Sequence, residues 1–182
     1  MSIPNAASKG DTRGLQIFKY RECRDYGRGG PDPQSTGGND SVVEDGVSLL
    51  VKSGFAEGYS GKVLFDAPGF CMVQLWFRGG FPLPLHKHNT DCLYYVISGS
   101  IQIGTQKLGA GDGFFVPADV PYGGITGDDG FEYLEIRQTL HKNVTTRFLS
   151  TNPEYWQKLA GIVSQKRDGW RSESPPSSRQ IS

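Results

Sequence analysis

From about residue 46 to residue 137, the apolar positions of this chain fall into short runs, each ended by glycine or proline. Val47-Ser48-Leu49-Leu50-Val51, Lys62-Val63-Leu64-Phe65 and Cys71-Met72-Val73-Gln74-Leu75-Trp76-Phe77 are runs of strand length, and Gly79-Gly80 closes the third. Leu93-Tyr94-Tyr95-Val96-Ile97, Ser100-Ile101-Gln102-Ile103, Gly113-Phe114-Phe115-Val116-Pro117 and Phe131-Glu132-Tyr133-Leu134-Glu135-Ile136-Arg137 follow, with turns at Gly99 and Thr105-Gln106-Lys107. Strands this short and evenly spaced predict an all-β sandwich or barrel. The period changes after residue 150. Asn152 is a capping residue, Pro153 suits the first helical position, and Tyr155, Leu159 and Ile162, flanked by Trp156 and Val163, make an amphipathic stripe. That predicts a C-terminal helix.

Neither end shows such patterning. Residues 28–40 are polar and full of breakers, and Ser172–Gln180 is rich in serine and proline. The chain therefore divides into a flexible N-terminal arm (1–45), a β-barrel (46–140), a helical extension (141–170) and a disordered tail (171–182). Within the arm, Leu15–Tyr20 alternates weakly. It is expected as a short strand that adds to a sheet edge of its own or a partner subunit.

Charge and cysteine content narrow the partners. Lysine plus arginine equal aspartate plus glutamate, 19 against 19, which gives no support for a nucleic-acid or acidic-membrane partner. Cys23, Cys71 and Cys92 form no Cys-x-x-Cys pattern, and an odd, low count suits a reducing compartment. Met1–Asn5 lacks the apolar core of a signal peptide, and no run is long enough to span a membrane. A soluble, cytoplasmic protein is expected.

The chemistry is expected at Gly80–His88, where His86 and His88, two of only three histidines, stand two apart. On a strand both rings face the same way, which makes half of a metal site. Gly80, His86, His88 and Gly99 then fall on a spacing of glycine, five residues, His-x-His and a later glycine, and Gly111 and Pro117 fall on a second spacing. Over residues 60–138 the chain thus resembles the cupin superfamily, whose two motifs run through these positions. The resemblance implies a double-stranded β-helix, a jelly-roll barrel, with the N-terminal arm and C-terminal helix added. It also implies a mononuclear divalent metal and a small-molecule substrate, and it usually brings a homodimer.

Three positions depart from that pattern. Cys92 stands at the family's glutamate, Asp119 at a glycine, and Tyr122 at the third histidine. The metal would be iron or manganese, with zinc or nickel as further options, held by His86 and His88 and completed by Tyr122, Cys92 or water. Tyr122 is read as a ligand, a lid or a protonated phenol serving a substrate, with the last preferred because a phenolate must first lose its proton. Cys92 is read as a thiolate or as a small buried hydrophobe. Asp91 carries a suitable carboxylate; in a regular strand it points opposite to Cys92, but a loop start could turn it inward, and it is expected in the substrate pocket. Gln74 and Trp76 are expected in the pocket together with Tyr94. Glu132 and Glu135 have opposite parity, so at most one faces inward, and His141 is expected at the surface. Thiol dioxygenases are similar in having His-x-His without glutamate, but keep the histidine that Tyr122 replaces. The function expected is a metal-dependent dioxygenase or a metal-assisted isomerase or lyase. The alternative is a non-catalytic ligand-binding or sensing module.

Overall fold

The structure, a computed structural model, describes residues 14–27, 34–36 and 40–176. Strands β1 (Arg24–Asp25) and β2 (Gln34–Thr36) precede helix α1 (Ser41–Lys52). Strands β3 (Tyr59–Ala67), β4 (Phe70–Phe77), β5 (Pro82–His88), β6 (Cys92–Ile103), β7 (Gln106–Gly109), β8 (Gly113–Val116) and β9 (Tyr122–Arg137) form the barrel. Strand β10 (Thr145–Phe148) and helix α2 (Pro153–Trp170) end it. The sheet runs β1-β3-β4-β9-β5-β10-β2, and β6 pairs with β7, β8 and β9. Among the described residues only β10–β2 pairs parallel. The result is a curled, mostly antiparallel half-barrel with a C-terminal helix.

Strand β9 makes the curl. Its C-terminal half, Phe131–Arg137, lies between β4 and the start of β6, while its N-terminal half, from Tyr122, pairs with β5. Bulges in β6 between Val96 and Ser98 and between Gly99 and Ile101 let one continuous strand turn that corner. Inner positions on β9 are Phe131, Tyr133, Glu135 and Arg137, and on β4 they include Leu75 and Phe77.

Two expectations about the N-terminal region are corrected. Val47–Val51 is not a strand but part of α1. Asp40 caps that helix by accepting from the backbone of Val42 at 2.9 Å, and Val43, Gly46 and Leu50 bury a helical face. A five-residue apolar window fits either period, so the cap and the partner helix decide. The partner is α2: a Cβ on Gly46 would lie 2.2 Å from the Trp156 ring. Leu15–Tyr20 is likewise no strand. Leu15 and Ile17 are 90% and 77% exposed, and alternation without a surface to bury into fixes no pairing. Within the stretch 28–40, expected as a loop, Gln34–Thr36 pairs as β2 with β10, and in the tail Glu173 accepts from the Gly79 amide at 3.1 Å; residues 28–33, 37–39 and 177–182 lie outside the described residues.

Helix α2 forms where expected, with Asn152 accepting from the Glu154 amide at 2.9 Å and Pro153 at its start. Its buried face is Trp156, Leu159, Ala160, Val163 and Trp170, so Tyr155 and Ile162 flank the stripe. This helix pins the strand that carries the histidines. Trp170 Nε1 donates to Gly79 O at 2.9 Å, Arg78 Nε donates to Trp170 O at 2.8 Å, and Leu85 N donates to Tyr155 Oη at 2.7 Å. Among the described residues no helix is long and apolar enough to cross a membrane.

Candidate functional site

A cavity of about 120 Å³ opens between the walls of the barrel. Its lining is largely aromatic, with Phe55, Tyr59, Phe77, Phe114, Phe131 and Tyr133 among the rings. Its polar groups include His86 and His88 from β5, Tyr94 from β6, and Tyr122, Glu135 and Arg137 from β9, with the hydroxyls of Tyr26, Tyr59, Tyr133 and Thr146 also in the lining.

Parity brings these groups together. His86 and His88 share one face of β5, and Tyr122 sits opposite His86 in the register. Glu135 and Arg137 share the inner face of β9 with Tyr133. Arg137 holds Glu135 from two sides: Nε donates to Oε1 at 2.7 Å, and a terminal nitrogen lies 2.7 Å from Oε2. Both side chains are almost fully buried. Burial would raise the Glu135 carboxyl, but Arg137 outweighs it and holds the group below the ordinary carboxylate value. Behind the guanidinium, Arg137 donates to Nδ1 of His141 at 3.3 Å. His141 is fully buried, which corrects its expected surface place. The His141–Asn143 turn after β9, anchored by Asp66 accepting from the His141 amide, folds it inward.

The hydrogen bonds form a chain whose direction can be derived. Tyr94 Oη lies 2.9 Å from Glu135 Oε1 and 2.6 Å from Tyr122 Oη. Its one proton goes to the carboxylate, the stronger acceptor. The 2.6 Å contact then needs the Tyr122 proton, so Tyr122 donates to Tyr94. Tyr122 also lies 3.1 Å from His88 Nε2, and with its proton spent it must accept there. His88 therefore carries hydrogen on Nε2, and Nδ1 accepts from Thr146 Oγ1 at 3.1 Å, the shorter of its two contacts; the Thr145 carbonyl, 3.4 Å from Nδ1, then stands beside a bare nitrogen without a hydrogen bond. Burial lowers the pKa of His88 and so favours this neutral ring. His86 takes the opposite tautomer: Nδ1 donates to the Pro84 carbonyl at 2.7 Å. Its Nε2 keeps a lone pair with no hydrogen-bond partner. Burial, with His88 adding to it, pushes His86 down to about 4.

Other residues singled out in the sequence fall elsewhere. Gln74 and Trp76 occupy the outer face of β4, a correction that follows from Leu75 and Phe77 facing in. Gln74 donates to Glu132 at 2.7 Å and accepts from Tyr20, while Arg78 covers the Trp76 ring at 4.6 Å. Asp91 is exposed and outside the cavity, accepting from the Ala118 amide at 2.8 Å. Cys92 is buried with its thiol pushed up to about 12 by burial and then by Glu135. Asp119, with φ 63°, is the one non-glycine residue in the left-handed region among the described residues, and its carboxylate pairs with Lys87. Glu135 and Arg137 had no place in the sequence-based site, though their parity with Tyr133 was the available signal.

No family profile matches the sequence, and none of the curated proteins does. Solved structures do. An RmlC-like cupin from Shewanella frigidimarina is 24% identical over 48% of this chain and 81% of its own, with a TM-score of 0.44. The polyketide cyclase RemF from Streptomyces resistomycificus is 18% identical, covers 83% of this chain and 98% of that one, and reaches a TM-score of 0.52. This chain has the cupin fold.

In this cupin-fold chain, His88, Cys92 and Glu135 bring three ligand atoms within 4.8 Å of one another, a spacing that a metal ion could use. His86 is not in that group. The donors themselves fit a divalent ion poorly. Both Glu135 oxygens accept from Arg137 or Tyr94, and the Cys92 thiol is hard to ionise. His88 Nε2 bears hydrogen, and the Arg137 guanidinium would face the ion across the carboxylate. Tyr122, whose phenol is held well above its usual pKa by burial and then by Glu135, is equally unsuited to bind as phenolate.

Proposed function

We propose that this cupin is a small-molecule-binding protein whose barrel cavity takes a single planar aromatic ring, without a metal in the resting site. The observation that carries this is the cavity itself: an aromatic wall enclosing about 120 Å³, closed at one end by polar groups already bonded to one another. An apolar cavity of roughly 150 Å³ takes up benzene in other proteins, so one ring suits this volume. The ring faces supply apolar and edge contacts. Glu135 with Arg137 adds no net charge, which suits a neutral ligand. RemF is a polyketide cyclase, but a likeness at that identity concerns the fold, and the proposal rests on the cavity.

The test is thermal or chemical denaturation with benzene, phenol and anisole. Ligand at 100 times its dissociation constant stabilises by about 2.7 kcal/mol. No binding of any of the three would reject the proposal.

The 4.8 Å spacing of His88, Cys92 and Glu135 favours a second reading, a divalent-metal site of iron or manganese serving oxygen chemistry. It requires Arg137 to release Glu135. About one metal per chain in protein purified without a histidine tag, with melting lowered by a chelator, would establish it. Metal-free protein that melts identically with and without chelator would set it aside.

A further inference from the structure

The hydrogen-bond chain described above leaves one of its neighbours in the cavity wall, His86, with an acceptor that no protein group fills. Tyr94 gives its proton to Glu135, Tyr122 gives its proton to Tyr94, and His88 gives its Nε2 hydrogen to Tyr122. Arg137 is committed to Glu135 and His141. His86 alone is in the reverse state: its hydrogen is tied to the Pro84 carbonyl, and its Nε2 lone pair has no partner. The residue is 5% exposed, and its ring lines the cavity. An acceptor that faces a cavity without a donor from the protein is open to a ligand or to water.

We propose that the ligand of this cavity is a ring bearing a hydrogen-bond donor, a hydroxyl or an N–H, which it gives to His86 Nε2. This rests on the aromatic-cavity reading above and adds the polar group and its place. His86 is then a specificity-determining residue. It selects donors over methylated analogues of nearly the same shape, because a methyl group leaves Nε2 unpaired and out of water.

Two ligand pairs measure this on the full-length protein: phenol against anisole, and aniline against N,N-dimethylaniline. Phenol should bind at least about tenfold more tightly than anisole, the worth of one satisfied buried hydrogen bond. In His86→Phe, which keeps a ring and removes the acceptor, the two should bind alike. The aniline pair separates the sources: discrimination in both pairs means any donor serves, and discrimination in the phenol pair alone identifies a hydroxyl. Nitrogen NMR of the unaltered protein gives a readout that does not depend on the variant folding. His86 Nε2 should begin as an unprotonated ring nitrogen and shift on adding phenol but not anisole. Equal binding of phenol and anisole by the unaltered protein, or discrimination that survives in His86→Phe, would overturn the proposal while leaving the aromatic cavity in place. Failure of benzene, phenol and anisole alike would remove the cavity reading and this one together.

Discussion

Arg137 carries more of the site than any other single side chain. Replacing it by methionine leaves the Glu135 carboxylate buried without its cation, an arrangement that costs about 3–5 kcal/mol. Changing Glu135 to glutamine in the same chain should recover much of that loss, because the pair is then removed together. Urea unfolding of the two variants checks the difference. Acid should find the same region. His86 has its pKa lowered from 6.5 to about 4, so the unfolded chain binds its proton first as pH falls. Its stability contribution is present above 6.5 and is lost on descending to about 4, a change on the order of a few kcal/mol. Glu135, also lowered, adds a second loss below its ordinary 4.5. Denaturation midpoints measured between pH 8 and pH 4 should therefore fall, and His86→Phe should flatten the upper part of the curve. His86 and His88 were legible from their spacing of two on a strand, and Tyr122 from the resemblance that puts it at a motif position. Which of Glu132 and Glu135 faces inward was not, since that requires the register of β9 against β4, which a sequence leaves open.

At the scale of elements, the helices decide how firmly the histidine strand is held. Helix α1 meets α2 at Gly46, where an added methyl would strike the Trp156 ring. Gly46→Ala should destabilise the protein by about 1–3 kcal/mol as an overpacked contact, despite alanine's better helix propensity. Gly161→Ala, with nothing within 4 Å of the added carbon, should instead stabilise by up to about 1 kcal/mol. Melting temperatures of the two variants should move in opposite directions. Strands β3, β4 and β8 and the C-terminal helix were readable because their patterning and capping are local, whereas Gly99, expected as a turn, lies within β6, and Gln106-Lys107, also expected in a turn, begins β7. Helix α1 was not, because its apolar positions also suit a strand and only its packing on α2 separates the two.

For the whole molecule, the outer sheet face is unusually apolar. Leu93, Tyr95 and Phe115 are 47%, 50% and 57% exposed, and Leu93 lies directly opposite Phe115 across β6 and β8. Among the described residues β8 pairs only with β6, so its other edge has no strand beside it. A homodimer formed through this face is the expected state. Sedimentation at tens of micromolar should give twice the chain mass, and Leu93→Lys with Phe115→Lys should give a folded monomer. A parent that sediments as a monomer would reject the dimer.

The grip of Arg137 on Glu135 also bears on evolutionary reversibility. Seen from its cupin-like pattern, the site differs at Cys92 and Tyr122, and the short way back to a metal centre would restore glutamate and histidine there. That route is blocked while a guanidinium occupies the neighbourhood with a fixed positive charge. The double variant Cys92→Glu, Tyr122→His should remain metal-free, and only the further change Arg137→Met should admit an ion. Arg137 would then act as a ratchet, making the order of substitutions matter more than their number.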